Sequence, residues 1–286
     1  MLMNDYVLLT DSASDLPLSL VQDLDIGIIP MKYTVNENLC IDKNTDIKNF
    51  YDMLRCKAAS STTQVNTEEF FEFFEKYLKE GKDILYIGFP LSLSGMFNCA
   101  TNAAKELSEV YPERKIILVD SMSASIGQGI LVYYAAMMKK SGSKIEEVEN
   151  WVNENKLRAC HWFTVDDLHH LKRGGRISST TAVVGSILNV KPLLSMNNDG
   201  DIYVFSKVRG RKNTLDLMSS KIENLSPYES QVFVGHGDCI EDAKYVVNKI
   251  SSIVPEVNVH TVYLGPIIGT HTGPGTVALA FMGNSR

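Results

Sequence analysis

Apolar residues along the chain fall into two rhythms. Short continuous runs, "YVLLT" (6–10), "IGIIPMKYTV" (26–35), "DILYIGF" (83–89) and "KIILVDS" (115–121), are long enough for strands and too short for helices. Between them the apolar positions recur with a helical period. In "NTEEFFEFFEKYLKEG" (66–81), Phe70, Phe74, Tyr77 and Leu78 share one face. Asn66 and Glu69 have capping-box spacing there, and Gly81 is placed to end the helix. Ala100, Ala103, Ala104 and Leu107 mark a second helix, and "SIGQGILVYYAAMMKKSG" (125–142) a third. "SKIEEVENWVNEN" (143–155) reads as an amphipathic helix capped by Ser143. Asp15, with Pro17 just inside the following helix, reads as another N-cap. Strands alternating with helices predict a parallel sheet covered on both faces.

After residue 160 the rhythm changes. "ACHWFTV" (159–165) is a strand and "DDLHHLKRGG" (166–175) a short helix with a basic end. "AVVGSILN" (182–189) follows, then two β-rich runs, "KPLLSM" and "DIYVFSKV", separated by "NNDG" (197–200), a hairpin signal. "KNTLDLMSSKIENL", "QVFVGHG", "EDAKYVVNKISSIV" and "VHTVYLG" then alternate helix and strand. The expected fold is α/β in two domains. Residues 1–160 form an N-terminal domain with a parallel sheet; residues 161–286 form a C-terminal domain whose mixed sheet includes antiparallel pairing.

A chain of 286 residues exceeds what one core usually spans, which agrees with two domains. The formal net charge of −6 argues against a nucleic-acid binder. Cys40, Cys56, Cys99, Cys160 and Cys239 are scattered and form no Cys-x-x-Cys pair, which fits reduced thiols rather than disulfides or zinc. The opening stretch lacks a basic region followed by a long apolar one, and no run reaches the ~18 apolar residues of a membrane span. The expected setting is the cytoplasm, with no integral membrane span.

Six polar clusters carry candidate chemistry. "TDSASDLP" places Asp11 and Ser12 after the first strand, where α/β sheets bind ligands; turn chemistry explains it equally well. "SSTTQV" (60–65) offers four consecutive hydroxyls to a small anion, or is a plain linker. In "GFPLSLSGMF" (88–97), Ser92 and Ser94 precede Gly95, which lets a backbone come close, and a helix start that aims free N–H groups outward. "KRGGRISS" carries Lys172, Arg173 and Arg176 for a phosphate or a protein partner, or is a solvated turn. "KVRGRKNT" carries Arg209, Arg211 and Lys212, with a surface charge run as the plain alternative. "IIGTHTGPG" fixes His271 beside a Gly-Pro-Gly turn, and a histidine can change charge near neutral pH. No Walker loop, nucleophile elbow, His-Glu-x-x-His or dinucleotide fingerprint is present, and His161, His169, His170, His236 and His260 have no metal-ligand spacing. No metal or cofactor is expected. One reading is an enzyme acting on a small phosphorylated substrate, with His271 as acid or base and Arg209 and Arg211 on the phosphate.

The order of "TDSASDLP", "STTQ", "LSGMF", "VDS", "GGRIS", "KPLL", "RGRK" and "HTGPG" along nearly the whole chain resembles the DegV family of bacterial fatty-acid-binding proteins. The resemblance implies two α/β domains and one long-chain fatty acid in a buried tunnel, with its carboxylate at the domain junction. It also implies a separate fatty acid kinase as partner, which phosphorylates the carboxylate to an acyl phosphate; the carrier itself does not catalyse. On this resemblance Thr62, Thr63 and Ser94, with Gly95, bind the carboxylate. His271 and Arg209 lie by the head group and matter once it carries a phosphate. Beside them, the basic residues Arg173 and Arg176 offer an edge on which a kinase could dock. Met96 and Phe97 are expected to line the start of the acyl tunnel. The chain departs from the family pattern at Thr63, which keeps a hydroxyl; at "GFPLS", where a pair of serines is usual; and at Met96, where a threonine is usual.

Overall fold

The computed structural model describes residues 5–43, 45–177, 189–227 and 229–286. In chain order its strands are β1 (Tyr6–Asp11), β2 (Ile26–Ile29), β3 (Lys32–Val35), β4 (Asn38–Ile41), β5 (Ser60–Thr63), β6 (Asp83–Gly88) and β7 (Ile116–Asp120). They continue with β8 (Ala159–Thr164), β9 (Val190–Met196), β10 (Ile202–Arg209), β11 (Gln231–His236), β12 (Asn258–Tyr263) and β13 (Val277–Met282). The helices are α1 (Leu18–Asp23), α2 (Ile47–Arg55), α3 (Thr67–Lys79), α4 (Met96–Val110), α5 (Ile126–Lys140), α6 (Ile145–Asn155) and α7 (His169–Arg173). Three more follow: α8 (Arg211–Ser220), α9 (Ile240–Ile253) and α10 (Pro266–Thr272). "AVVGSILN" lies outside the described residues except for Asn189.

The first sheet is parallel, with order β2-β1-β6-β7. Every residue of β1 and β6 is buried, as expected of strands covered on both faces. The two-residue alternation divides them: Val7, Leu9, Ile84 and Tyr86 pack with α3 and α4, whereas Tyr6, Leu8, Leu85 and Ile87 pack with α5 and α6. The second sheet is mixed, with order β10-β9-β8-β13-β11-β12; among the described residues β11 and β12 run parallel and the other pairs antiparallel. The Asn-Asp-Gly hairpin is formed as expected, joining β9 to β10. β10 alternates between half-buried and exposed positions, so one of its faces meets solvent. The chain passes to this sheet at Ala159.

Helix α5 lies between the two sheets, against β1 and β6 on one side and β8, β11 and β13 on the other. It is accordingly apolar nearly all round. Its Gln128 donates to Thr10 Oγ1 (3.0 Å) and to the buried carboxylate of Asp11 (3.0 Å). One apolar cluster runs through the whole molecule, from Leu9 and Phe74 to Phe163 and Phe233.

Three local expectations are corrected. "IGIIPMKYTV" is not one strand, because Pro30 supplies no N–H for a ladder. The chain turns there into a third sheet, small and antiparallel, with order β4-β3-β5. The helix at Ile145 is capped at Lys144 rather than Ser143. Asp15 caps no helix: it has left-handed backbone (φ 50°), and Asp11 caps the short turn Ser12–Ser14 instead. The carboxylate of Asp15 ties distant segments, accepting from Ser125 Oγ (2.5 Å) and from the Gly265 N–H (2.7 Å).

Burial pushes the Asp15 carboxyl up from 3.8 to about 8. The folded chain therefore binds more protons than the unfolded chain across that window, and stability falls as pH rises through it. Asn reproduces the neutral form, accepting from Gly265 and donating to Ser125. The stability of Asp15→Asn relative to the parent should grow by more than about 1 kcal/mol between roughly pH 5 and pH 8 in urea unfolding. A pH-independent difference would mean that Asp15 is already ionised in the fold.

Candidate functional site

A cavity of about 230 Å³ opens where the small sheet, the mixed sheet and the loop after β6 meet. Its lining is mostly apolar and includes Met31, Phe89, Phe163, Met196, Ile267 and Ile268. Thr62, Gln64, Ser94, Gly95, Arg176 and His271 supply a polar group of lining residues. Four pieces of local structure deliver them: β5 and its end, the loop before α4, the turn after α7, and α10. Thr62 stands on β5, opposite the buried Tyr33 of β3, and so faces inward. Its Oγ1 lies 2.9 Å from His271 Nε2.

His271 occupies the last turn of α10, and Gly273 (φ 77°) ends that helix. Gly174 passes the ring so closely that a Cβ there would overlap Nδ1, which is buried without a partner. Burial pushes the imidazole down to about 4, helped by Arg176 and Arg173. The ring is therefore neutral at physiological pH, which corrects the expectation of a charge change near neutrality. Arg176 leans over the loop after β6, donating from Nε to the Leu93 carbonyl (3.2 Å). A second hollow of about 260 Å³ shares Thr62, Arg176 and His271 with the cavity and adds Ser60, Ser61 and Arg173.

The other expected residues stand elsewhere. Thr63 follows Thr62 in the strand, pairs opposite Lys32 and is exposed, so the alternation turns it away from the cavity. Ser94 lines the cavity, but its Oγ also accepts the Met96 N–H (3.2 Å) at the start of α4. Ser92 donates to the Gly200 carbonyl (2.7 Å) and ties the loop to the β9–β10 hairpin. Met96 is fully buried in the core, and Phe97 stacks on Tyr86 with ring centroids 6.4 Å apart. Neither lines the cavity, because the first turn of α4 aims them at the layer between α3 and the parallel sheet. Arg209 is exposed at the end of β10, outside the cavity lining. Arg211 is engaged by Asp242 (2.8 Å) and by the Gly275 carbonyl (2.6 Å), so it braces the Gly-Pro-Gly turn.

Gln64 and His161 line the cavity and carried no expected role in it. Neither carries a mark of the cavity in the sequence: Gln64 lies just past the end of β5, and His161 shares its strand face with Phe163, which reads as core. Among the described residues no group of three or more His, Cys, Asp or Glu is placed to hold a metal ion, and no helix is long and apolar enough to cross a membrane.

Residues 6–284 match the family described as "Uncharacterised protein, DegV family". The chain belongs to the DegV family. A DegV domain-containing protein of Clostridium perfringens is 45% identical over 290 residues, covering 99% of each chain. Two solved structures share the fold. One, described as showing fatty acid binding of a DegV family protein from Thermus thermophilus, is 26% identical with a TM-score of 0.87, covering 97% of this chain and 99% of its own. The other, described as a stearic acid-binding protein from Eubacterium ventriosum, is also 26% identical with a TM-score of 0.87, covering 96% of this chain and 97% of its own. The DegV fold thus brings Thr62, Ser94, Arg176 and His271, far apart in sequence, to one cavity.

Proposed function

We propose that this DegV protein binds one long-chain fatty acid in the cavity and presents its carboxylate to a separate kinase that forms an acyl phosphate. The observation that carries the reading is an apolar cavity with neutral hydrogen-bonding groups, Thr62, Ser94 and His271, gathered in its lining. The fatty acid binding described for the Thermus thermophilus and Eubacterium ventriosum proteins supports it. About 16 methylenes at ~0.8 kcal/mol each supply roughly 12 kcal/mol gross, from which ordering and association costs subtract. The tail therefore dominates affinity, and the head-group contacts fix register. A buried carboxylate stays charged only with hydrogen-bond donors around it. Ser94, the backbone by Gly95 and the Thr62–His271 pair can donate without adding a full positive charge; the pair offers one proton, from Thr62 when Nε2–H of the neutral His271 donates to its hydroxyl. Thr63 and Arg209 have no place in this set as the fold stands. The hollow with Arg173 and Arg176 suits the added charge of a phosphate.

In this reading the domain division falls at residue 160, the head group lies at the junction, and the protein works in the cytoplasm as a carrier. Acid–base chemistry on a phosphorylated substrate has less support: Arg209 is outside the lining and Arg211 is held by Asp242. The test is native mass spectrometry of protein purified from a bacterial host, followed by lipid extraction. One fatty acid per chain is expected. Folded protein that carries none, and whose Tm does not rise with added fatty acid, would refute the reading.

A further inference from the structure

His161 lines the cavity, yet the head-group reading gives it no task. It shares a face of β8 with Phe163, two residues on. In the antiparallel ladder Phe163 lies opposite Ala278 and His161 opposite Ala280. β13 starts at Val277, just after the Gly-Pro-Gly turn, and runs away from the helix that carries His271. The level of His161 is three residues into that strand, about 10 Å along it at ~3.3 Å per residue.

The side chain is chemically out of place. His161 is 4% exposed, and its Nδ1 is buried without a hydrogen-bond partner. Nε2 makes no hydrogen bond among the described residues. Nδ1 lies on the helix α5 side, where a Cβ on Gly127 would stand 3.0 Å from it and overlap Ser123 Oγ, itself without a partner among the described residues, so Nε2 is the nitrogen left to meet a ligand. The other polar side chains along this part of the lining are already used. Ser125 Oγ donates to Asp15 (2.5 Å), Thr272 Oγ1 to the Ile268 carbonyl (3.1 Å) and Thr276 Oγ1 to the Gly273 carbonyl (2.9 Å). Burial and Arg286 push the His161 imidazole down to about 3, so it is neutral, with one donor and one acceptor nitrogen. A plain hydrocarbon tail would leave that ring unpaired in an apolar wall, which is costly.

We propose that the cavity is built for a fatty acid bearing a hydroxyl group at mid-chain, and that His161 is the residue that recognises it. This rests on the reading that the cavity holds a fatty acid. A hydroxyl both donates and accepts, so it can pair with Nε2 in either imidazole tautomer. His161 thereby sets which chain is preferred, while the head-group cluster holds the carboxylate common to all.

The test titrates delipidated protein with stearic acid and with hydroxystearic acids whose hydroxyl steps along the middle of the chain. Wild type should bind one positional isomer at least as tightly as stearic acid and discriminate among positions. In His161→Phe the ratio should shift toward stearic acid by about tenfold, the loss of one buried hydrogen bond. An equal ratio in both proteins, or a flat positional profile in wild type, overturns the proposal; the wild-type profile decides even where the variant does not fold. If folded wild type binds neither stearic acid nor any isomer, the fatty-acid reading itself fails and this proposal with it.

Discussion

Ala278→Phe should cost the protein most of its lipid affinity while leaving it folded. Ala278 lies on β13 between Phe163 of β8 and Gly235 of β11, with its methyl in the cavity wall. A benzyl group there enters the space an acyl chain would occupy. Excluding about four methylenes forfeits roughly 3 kcal/mol, a loss of more than a hundredfold in affinity. Stability should move the other way or hold, because the ring meets apolar walls across a void that now lacks contacts. Lipid per chain by mass spectrometry and stability in urea read the two effects separately. Affinity unchanged in the folded variant would mean that the acyl chain lies elsewhere.

Gly129→Val should be the most damaging small change to the fold. Gly129 faces the turn Ser12–Ser14, and a Cβ there would stand 2.5 Å from the Ser14 carbonyl oxygen. That neighbour is backbone, and the turn is pinned: Asp11 caps it, and Ser12 Oγ accepts the Met31 N–H (3.0 Å). Helix α5 has little room to retreat, since the mixed sheet covers its other side. Overpacking of this kind costs about 3 kcal/mol, or a fall in Tm of roughly 6–12 °C for a chain of this size. Gly129→Ala should fall between the two. A Val variant that melts with the parent would show that α5 can shift between its sheets.

The elements most legible in the sequence were those whose local chemistry agrees with their packing. Helix α3 shows why: its capping box, its apolar face and the left-handed Gly81 (φ 77°) all point to one answer. Asp15 was misread because its partners, Ser125 and Gly265, are remote in sequence. At the site, the hydroxyl clusters were visible as polar breaks beside apolar runs. Their phase was not: in "SSTT" every residue has a hydroxyl, so alternation has no contrast by which to choose Thr62 over Thr63. Only pairing with β3 decides it, through the buried Tyr33 opposite Thr62. Lining residues such as Met196 and Ile267 look in sequence like any core residue, because a wall and an interior use the same side chains.

The excursion at Pro30 bears on how such a binding site can vary. Among the described residues the parallel sheet has the order β2-β1-β6-β7, and those between β2 and α3 contribute no strand to it. Thr62 therefore rides on an accessory sheet that shares no ladder with the scaffold. Substitutions along β3 to β5 can alter the hydroxyls offered to a head group without disturbing the register of the parallel strands. His271 and Arg176, by contrast, come from segments tied to the mixed sheet and its turns, so a substitution on one side of the proposed head-group site need not disturb the strands that carry the other.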